Sequence, residues 1–99
     1  MALAITWTAE AEESYDRIIE YLERNWTERE IRNFVLATQD ILGQIATRPK
    51  MYKASRKKNI HIGFVMNHVS LYYHIKPKKK EITLLYFWDN RQDPAKQKI

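Results

Sequence analysis

Ninety-nine residues, 44% of them hydrophobic, suit one soluble domain spanning 1–99 and are too few for two. The absence of cysteine excludes disulfide and thiolate chemistry and points to the cytoplasm. The formal charge of +5 is unevenly spread: residues 1–40 hold nine acids and four bases, residues 41–80 hold ten bases and no acid, and the last nineteen balance at three each.

That acid-free block makes a positive surface, which raises encounter rates with nucleic acid or an acidic protein. Its plain alternative is a solvated lysine face, the preferred reading for Lys78-Lys79-Lys80 alone, since hairpin tips are commonly charged. The longest apolar run, Leu84–Trp88, is too short to cross a bilayer. The start, MALAITW, lacks the basic residues and apolar stretch of a signal peptide. A small intracellular protein without membrane contact is expected.

In chain order, Leu3, Ile5 and Trp7 alternate with Ala4 and Thr6, which predicts a short half-buried strand. Thr8 stands where a helix N-cap belongs, with Glu10, Glu12 and Glu13 in the first turn, where the helix dipole favours negative charge. Ala11, Tyr15, Ile18, Ile19 and Leu22 keep helical spacing up to Asn25, predicted to close the helix in a left-handed cap. Thr27 and Glu30 have the spacing of a capping box for a second helix, whose stripe is Ile31, Phe34, Val35, Thr38, Ile41, Leu42 and Ile45. Gly43 in that stripe costs about 1 kcal/mol against alanine, so a close helix contact is expected there. Pro49 should stop the helix near Thr47. The resulting helical hairpin needs a sheet to cover its apolar face.

Arg48–Asn59 is the least regular stretch and carries six of the bases, with Met51 and Tyr52 expected against the core. Ile60 and Ile62 suggest a strand, Gly63 a turn or bulge, and Phe64–Ile75 a long strand. With Ile82–Trp88 the long strand makes an antiparallel hairpin about a basic turn containing Pro77. Val65, Val69, Leu71, Tyr73 and Ile75 share one face of it; Phe64, Met66, His68, Ser70, Tyr72, His74 and Lys76 share the other. If Ile75 faces Ile82, then Ile82, Leu84, Tyr86 and Trp88 join the first face and Leu85 and Phe87 the second; the sequence leaves that register open. Both faces carry large apolar side chains and two helices cover only one. The other face then curls over itself or presents a sticky groove to a partner.

The order strand, two helices, three strands is joined by several local strings: Trp7-Thr8-x-x-Ala11, Leu22-x-x-x-Trp26, Lys58-Asn59-Ile60, Gly63-Phe64-Val65, His68-x-x-Leu71-Tyr72-Tyr73 and Phe87-Trp88-Asp89-Asn90-Arg91-Gln92-Asp93-Pro94. Together they resemble the RelE/ParE superfamily of type II toxin–antitoxin toxins, in its ParE-like branch of plasmid-stabilisation proteins. The likeness covers nearly the whole chain and is most specific in the ending FWDNRQDP. It implies an α+β fold, β-α-α-β-β-β, with a helical hairpin packed on a small, mostly antiparallel sheet. It also implies an antitoxin partner, usually encoded beside the toxin, whose C-terminal segment wraps and neutralises it. The basic block and the spare apolar face suit such an acidic, amphipathic wrapper.

The same resemblance divides the target. RelE-like members cleave mRNA on the ribosome, using basic residues on the sheet and a Tyr in the C-terminal tail. That chemistry needs a group to activate the ribose 2′-hydroxyl, one to protonate the leaving 5′-oxygen, and cations for the phosphorane. Here Arg91 stands near where one such Arg falls, His61 stands where an Arg is expected on an inner strand, and Lys58 is the remaining candidate; no Tyr or His follows Arg91. ParE-like members lack that set and are taken to poison DNA gyrase by protein contact, without catalysis. The missing tail Tyr favours this reading over a ribosome-dependent endoribonuclease. A non-toxic binding module of the same fold is the third reading.

Candidates for target or antitoxin binding are Arg56, Lys57, Lys58, His61, Tyr72, Trp88, Asp89, Asn90 and Arg91. Plainer readings stand beside them. Histidines such as His61, His68 and His74 fill a half-exposed strand face more often than they transfer protons. A His68–Asp89 pair would lock a strand end, and Arg91 between Asp89 and Asp93 would salt-bridge locally. Trp7, Trp26, Tyr73 and Trp88 read as core before binding platform. No cluster has metal-ligand spacing and two glycines cannot build a phosphate-cradling loop, so no cofactor is expected; direct sequence-specific DNA binding is not expected either.

Overall fold

A computed structural model describes residues 2–66 and 68–90. The elements run β1 (Ala4–Trp7), α1 (Ala9–Asn25), α2 (Glu28–Thr47), β2 (Lys53–Ala54), β3 (Ile60–Met66), β4 (Val69–Lys76) and β5 (Glu81–Asp89), with a 3-10 turn at Pro77–Lys79 before β5. The sheet has the order β1-β5-β4-β3-β2, and only the β1–β5 pair is parallel. This is the α+β architecture expected from the chain, with the two-residue β2 added at one edge inside the stretch that read as irregular.

Local signals explain the helix ends, with two differences from expectation. The Thr8 hydroxyl accepts the Ala11 N–H at 3.0 Å, capping α1. At the other end Asn25 stays helical, its side-chain amide donating to the Tyr21 carbonyl at 2.9 Å, and Trp26 leaves in an extended conformation instead of a left-handed cap. At the start of α2, Thr27 and Glu30 bond to each other at 3.3 Å and not to the backbone, so the capping box does not form. The helix ends at Thr47, ahead of Pro49.

The core lies between the helices and one face of the sheet. Phe34, Ile41 and Ile45 of α2 and Ala11 of α1 meet Leu71, Tyr73, Ile82 and Leu84, with Phe87 beside them. The sequence suggested a turn or bulge at Gly63 and one long strand over Phe64–Ile75, but β3 runs through Gly63 and that stretch is split between two antiparallel strands, Met66 pairing with Val69. Gly63 sits under α2 instead: a Cβ there would lie 2.7 Å from Ile41 Cδ1 and 3.3 Å from the Tyr52 ring. A Cβ on Gly43 would meet nothing within 4 Å, so the close approach expected at Gly43 belongs to Gly63. Tyr52 packs against the core as expected, whereas Met51 is 47% exposed.

The β4–β5 register holds the main surprise. Ile75 faces Ile82 and Tyr73 faces Leu84, but Tyr72 then faces Tyr86, so Leu85 is an extra residue. This β-bulge reverses the alternation beyond it. Phe87 returns to the core opposite Leu71, while Tyr86 and Trp88 join Tyr72 and Ser70 on the other face. The cause lies next door, because β1 ends opposite Leu84. From there Thr8 donates its hydroxyl to the Leu84 and Leu85 carbonyls at 2.8 and 3.0 Å. Further along α1, the Ser14 hydroxyl accepts the Phe87 N–H. The polar groups that β1 leaves behind are thus satisfied by the start of α1. Phe87 turns inward onto Trp7 and Tyr15, at centroid distances of 5.5 and 5.0 Å.

Candidate functional site

The residues singled out in the sequence fall in separate places. Arg56, Lys57 and Lys58 are exposed on the loop between β2 and β3. The Ser55 hydroxyl accepts the Lys57 N–H at 3.1 Å, and Asn59 turns the chain into β3 with φ of 63°. Asparagine tolerates that left-handed conformation better than most residues.

His61 lies opposite Tyr73 on the helix side of β3, its ring stacked on the tyrosine at 5.8 Å. Its Nδ1 is buried and has no hydrogen-bond partner among the described residues. The Tyr73 hydroxyl donates to the Pro49 carbonyl at 2.7 Å. Burial, with Tyr52 adding to it, pushes that phenol well above the usual tyrosine range. This environment suits a packed ring better than a group poised to exchange protons.

Tyr72 and Trp88 share the opposite face. Tyr72 stacks on Tyr86 with centroids 4.7 Å apart, and Trp88 meets the Tyr86 ring edge-on at 6.4 Å. Beyond them the strand end is tied by Asn90, whose N–H donates to the His68 carbonyl at 2.6 Å and whose side chain donates to the Ser70 hydroxyl at 2.8 Å. Asn90 therefore locks the strand end beside His68. Trp88 pairs with Ser70 while Ile60 pairs with His74, four residues further along β4. At about 3.3 Å per residue, the two groups of candidates stand roughly 13 Å apart along the sheet. Arg91 lies outside the described residues.

One large opening coincides with none of the basic candidates. A cleft of about 690 Å³ runs between the helical hairpin and the β4–β5 end of the sheet. Arg17, Ile18 and Tyr21 of α1 form one wall, Trp26 and Phe34 the other, with Val69 and Phe87 as the floor and His68, Trp88 and Asp89 at the rim. It exists because α1 continues past the point where β1 stops. Trp26, read as core, is 48% exposed, since the extended link carries it off the α1 stripe; Tyr21 is 39% exposed. Both could have been found from the sequence as large rings in an otherwise charged helix end. Apolar walls with Arg17 and Glu30 at the margins suit an apolar segment of a partner better than a reaction. Among the described residues no group of three or more His, Asp or Glu could hold a metal, and no helix is long and apolar enough to cross a membrane.

The fold is shared with chains of known structure. A chain of the toxin–antitoxin complex RelBE2 from Mycobacterium tuberculosis superposes with a TM-score of 0.63 at 12% identity, covering 88% of this chain and 96% of its own. A chain of the chromosomal ParDE toxin–antitoxin system from P. aeruginosa gives the same TM-score at 18% identity, covering 87% and 94%. No curated protein matches the chain in sequence. The family model for the ParE toxin of the type II toxin–antitoxin system parDE does match, over residues 5–94. That span runs from β1 through the FWDNRQDP ending, and by it the chain belongs to the ParE toxin family.

Proposed function

We propose that the chain is a cytoplasmic toxin that halts replication by binding DNA gyrase, without catalysis of its own, and is silenced by a cognate antitoxin. The observation that carries this reading is the cleft beside Trp26 and Tyr21: it offers apolar area to a polypeptide. An amphipathic antitoxin segment laid into it would bury those two rings. The basic loop at Arg56, Lys57 and Lys58 and the rim at Tyr72, Trp88, Asp89, Asn90 and Arg91 are the further contacts proposed for antitoxin or target.

Against an endoribonuclease stands the scatter of its candidates. Lys58 is on an exposed loop and His61 is stacked under the helices, so the two do not converge on one phosphate. Induction in a bacterium, with DNA and protein synthesis followed by isotope incorporation, tests the proposal. DNA synthesis should fall first. If protein synthesis falls first the protein acts on the ribosome, and if growth is unaffected it is a binding module of the same fold.

A further inference from the structure

The fold brings two distant basic segments together. Asn59, at the end of the loop carrying Arg56, Lys57 and Lys58, accepts the Ile75 N–H at 2.8 Å. Two residues beyond Ile75 begins the turn carrying Lys78, Lys79 and Lys80, and Lys76 faces Glu81 across it. All six cations are exposed, and none has an ion-pair partner among the described residues. Lys76 is the exception nearby, bridging Glu81 at 3.9 Å. Six such cations at one end of a sheet repel one another, an arrangement that a polyanion would relieve. The acids of the molecule lie mainly on the two helices, whose connecting tip is at the opposite end of β5, beside Asp89.

We propose that this basic pole binds the phosphodiester backbone of duplex DNA without reading its sequence. Two features choose that ligand. The pole carries no exposed aromatic ring, which binding of single strands by stacking requires. Nor does it carry an exposed large apolar side chain to anchor an acidic peptide; those are Tyr21, Trp26, Leu36, Met51 and Phe64, none of them in either loop. The loops border β3, β4 and β5 and the start of β1, four neighbouring strands. At about 4.8 Å per strand step they span roughly 15 Å. A duplex carries one charge per about 1.7 Å of axis, so several phosphates fall within reach of six cations.

The test is fluorescence anisotropy of a short labelled duplex titrated with the full chain, repeated as salt is raised from about 50 to about 200 mM. The logarithm of affinity should fall against the logarithm of salt with a slope near −3 or steeper, about 0.9 per phosphate contacted. R56Q/K57Q/K58Q should weaken binding at least tenfold and flatten the slope; K78Q/K79Q, in the other loop, gives an independent reading. R29Q/R32Q, on α2 away from the pole, should bind as the parent does. No binding at the lowest salt, an unchanged slope in both loop variants, or tighter binding of single-stranded RNA or an acidic peptide than of the duplex would overturn the proposal.

Discussion

The Ser14 hydroxyl accepts the Phe87 N–H at 2.9 Å and donates to the Ala11 carbonyl at 3.1 Å, so a helix side chain stands in for a strand neighbour that β1 does not supply. Thr8 does the same for the carbonyls of Leu84 and Leu85. The seam between α1 and β5 is therefore polar and specific, in contrast to the apolar packing around it.

Ser14→Ala leaves the buried Phe87 N–H without a partner and should cost about 1–3 kcal/mol. In a domain of this size each kcal/mol lowers the melting temperature by roughly 4–8 °C. Thr8→Ala removes the helix cap and the bonds to the bulge together, so a loss of about 1–2 kcal/mol is expected. Urea unfolding of both variants checks this; parent-like midpoints would show that the seam adds nothing.

The two glycines should respond with opposite signs. Gly43→Ala, on an open helix face, should stabilise by about 0.5–1 kcal/mol. Gly63→Ala pushes a methyl into Ile41, which is 2% exposed and has little room to yield, and should cost about 1 kcal/mol or more. Adding Ile41→Val to Gly63→Ala should recover part of that loss, as a double-mutant cycle would show.

Tyr73 makes stability sensitive to alkali. Its phenol ionises less readily folded than unfolded, so the stability tied to it is complete below pH of about 10 and is lost as pH rises beyond that value. Tyr15 shifts the same way, through burial, opposed by a hydrogen bond with Thr38 and aided by Asp16. Tyr73→Phe should cost about 1 kcal/mol near neutrality through the bond to Pro49. Its urea midpoint should then decline less steeply than the parent's above pH of about 10, which separates ionisation from packing.

If the cleft receives the antitoxin, Trp26→Ala should weaken that complex at least tenfold, about 1.4 kcal/mol, as for an aromatic anchor. The ring is half exposed, so the unbound fold should change by no more than about 0.5 kcal/mol. Isothermal titration and a thermal melt on the same sample separate the two effects.

Periodicity made the helices and the order of elements legible, since the stripes from Ala11 to Leu22 and from Ile31 to Ile45 repeat on one helical face. The pairing of Ile75 with Ile82 was legible too, because a hairpin turn sets the residues nearest to it. The bulge at Leu85 was not. It depends on where β1 stops and on two hydroxyls more than seventy residues away. Gly43 and Gly63 were misread for a related reason: a glycine signals a close approach only when the opposing element is known. The cleft combines both difficulties, since Trp26 becomes a wall only once α1 is seen to outrun its neighbouring strand. The basic pole was legible as composition but not as a place, because residues 56–58 and 78–80 meet only through the pairing of β3 with β4.

The extra residue at Leu85 lets the aromatic ribbon shorten by one residue at that point without turning over. Deleting Leu85 would make Tyr86 follow Leu84 directly, in strict alternation, leaving Phe87 inward and Tyr86 and Trp88 outward. One lost codon there would remove the Leu85 carbonyl that Thr8 holds, yet keep the buried and displayed rings of the last strand in place.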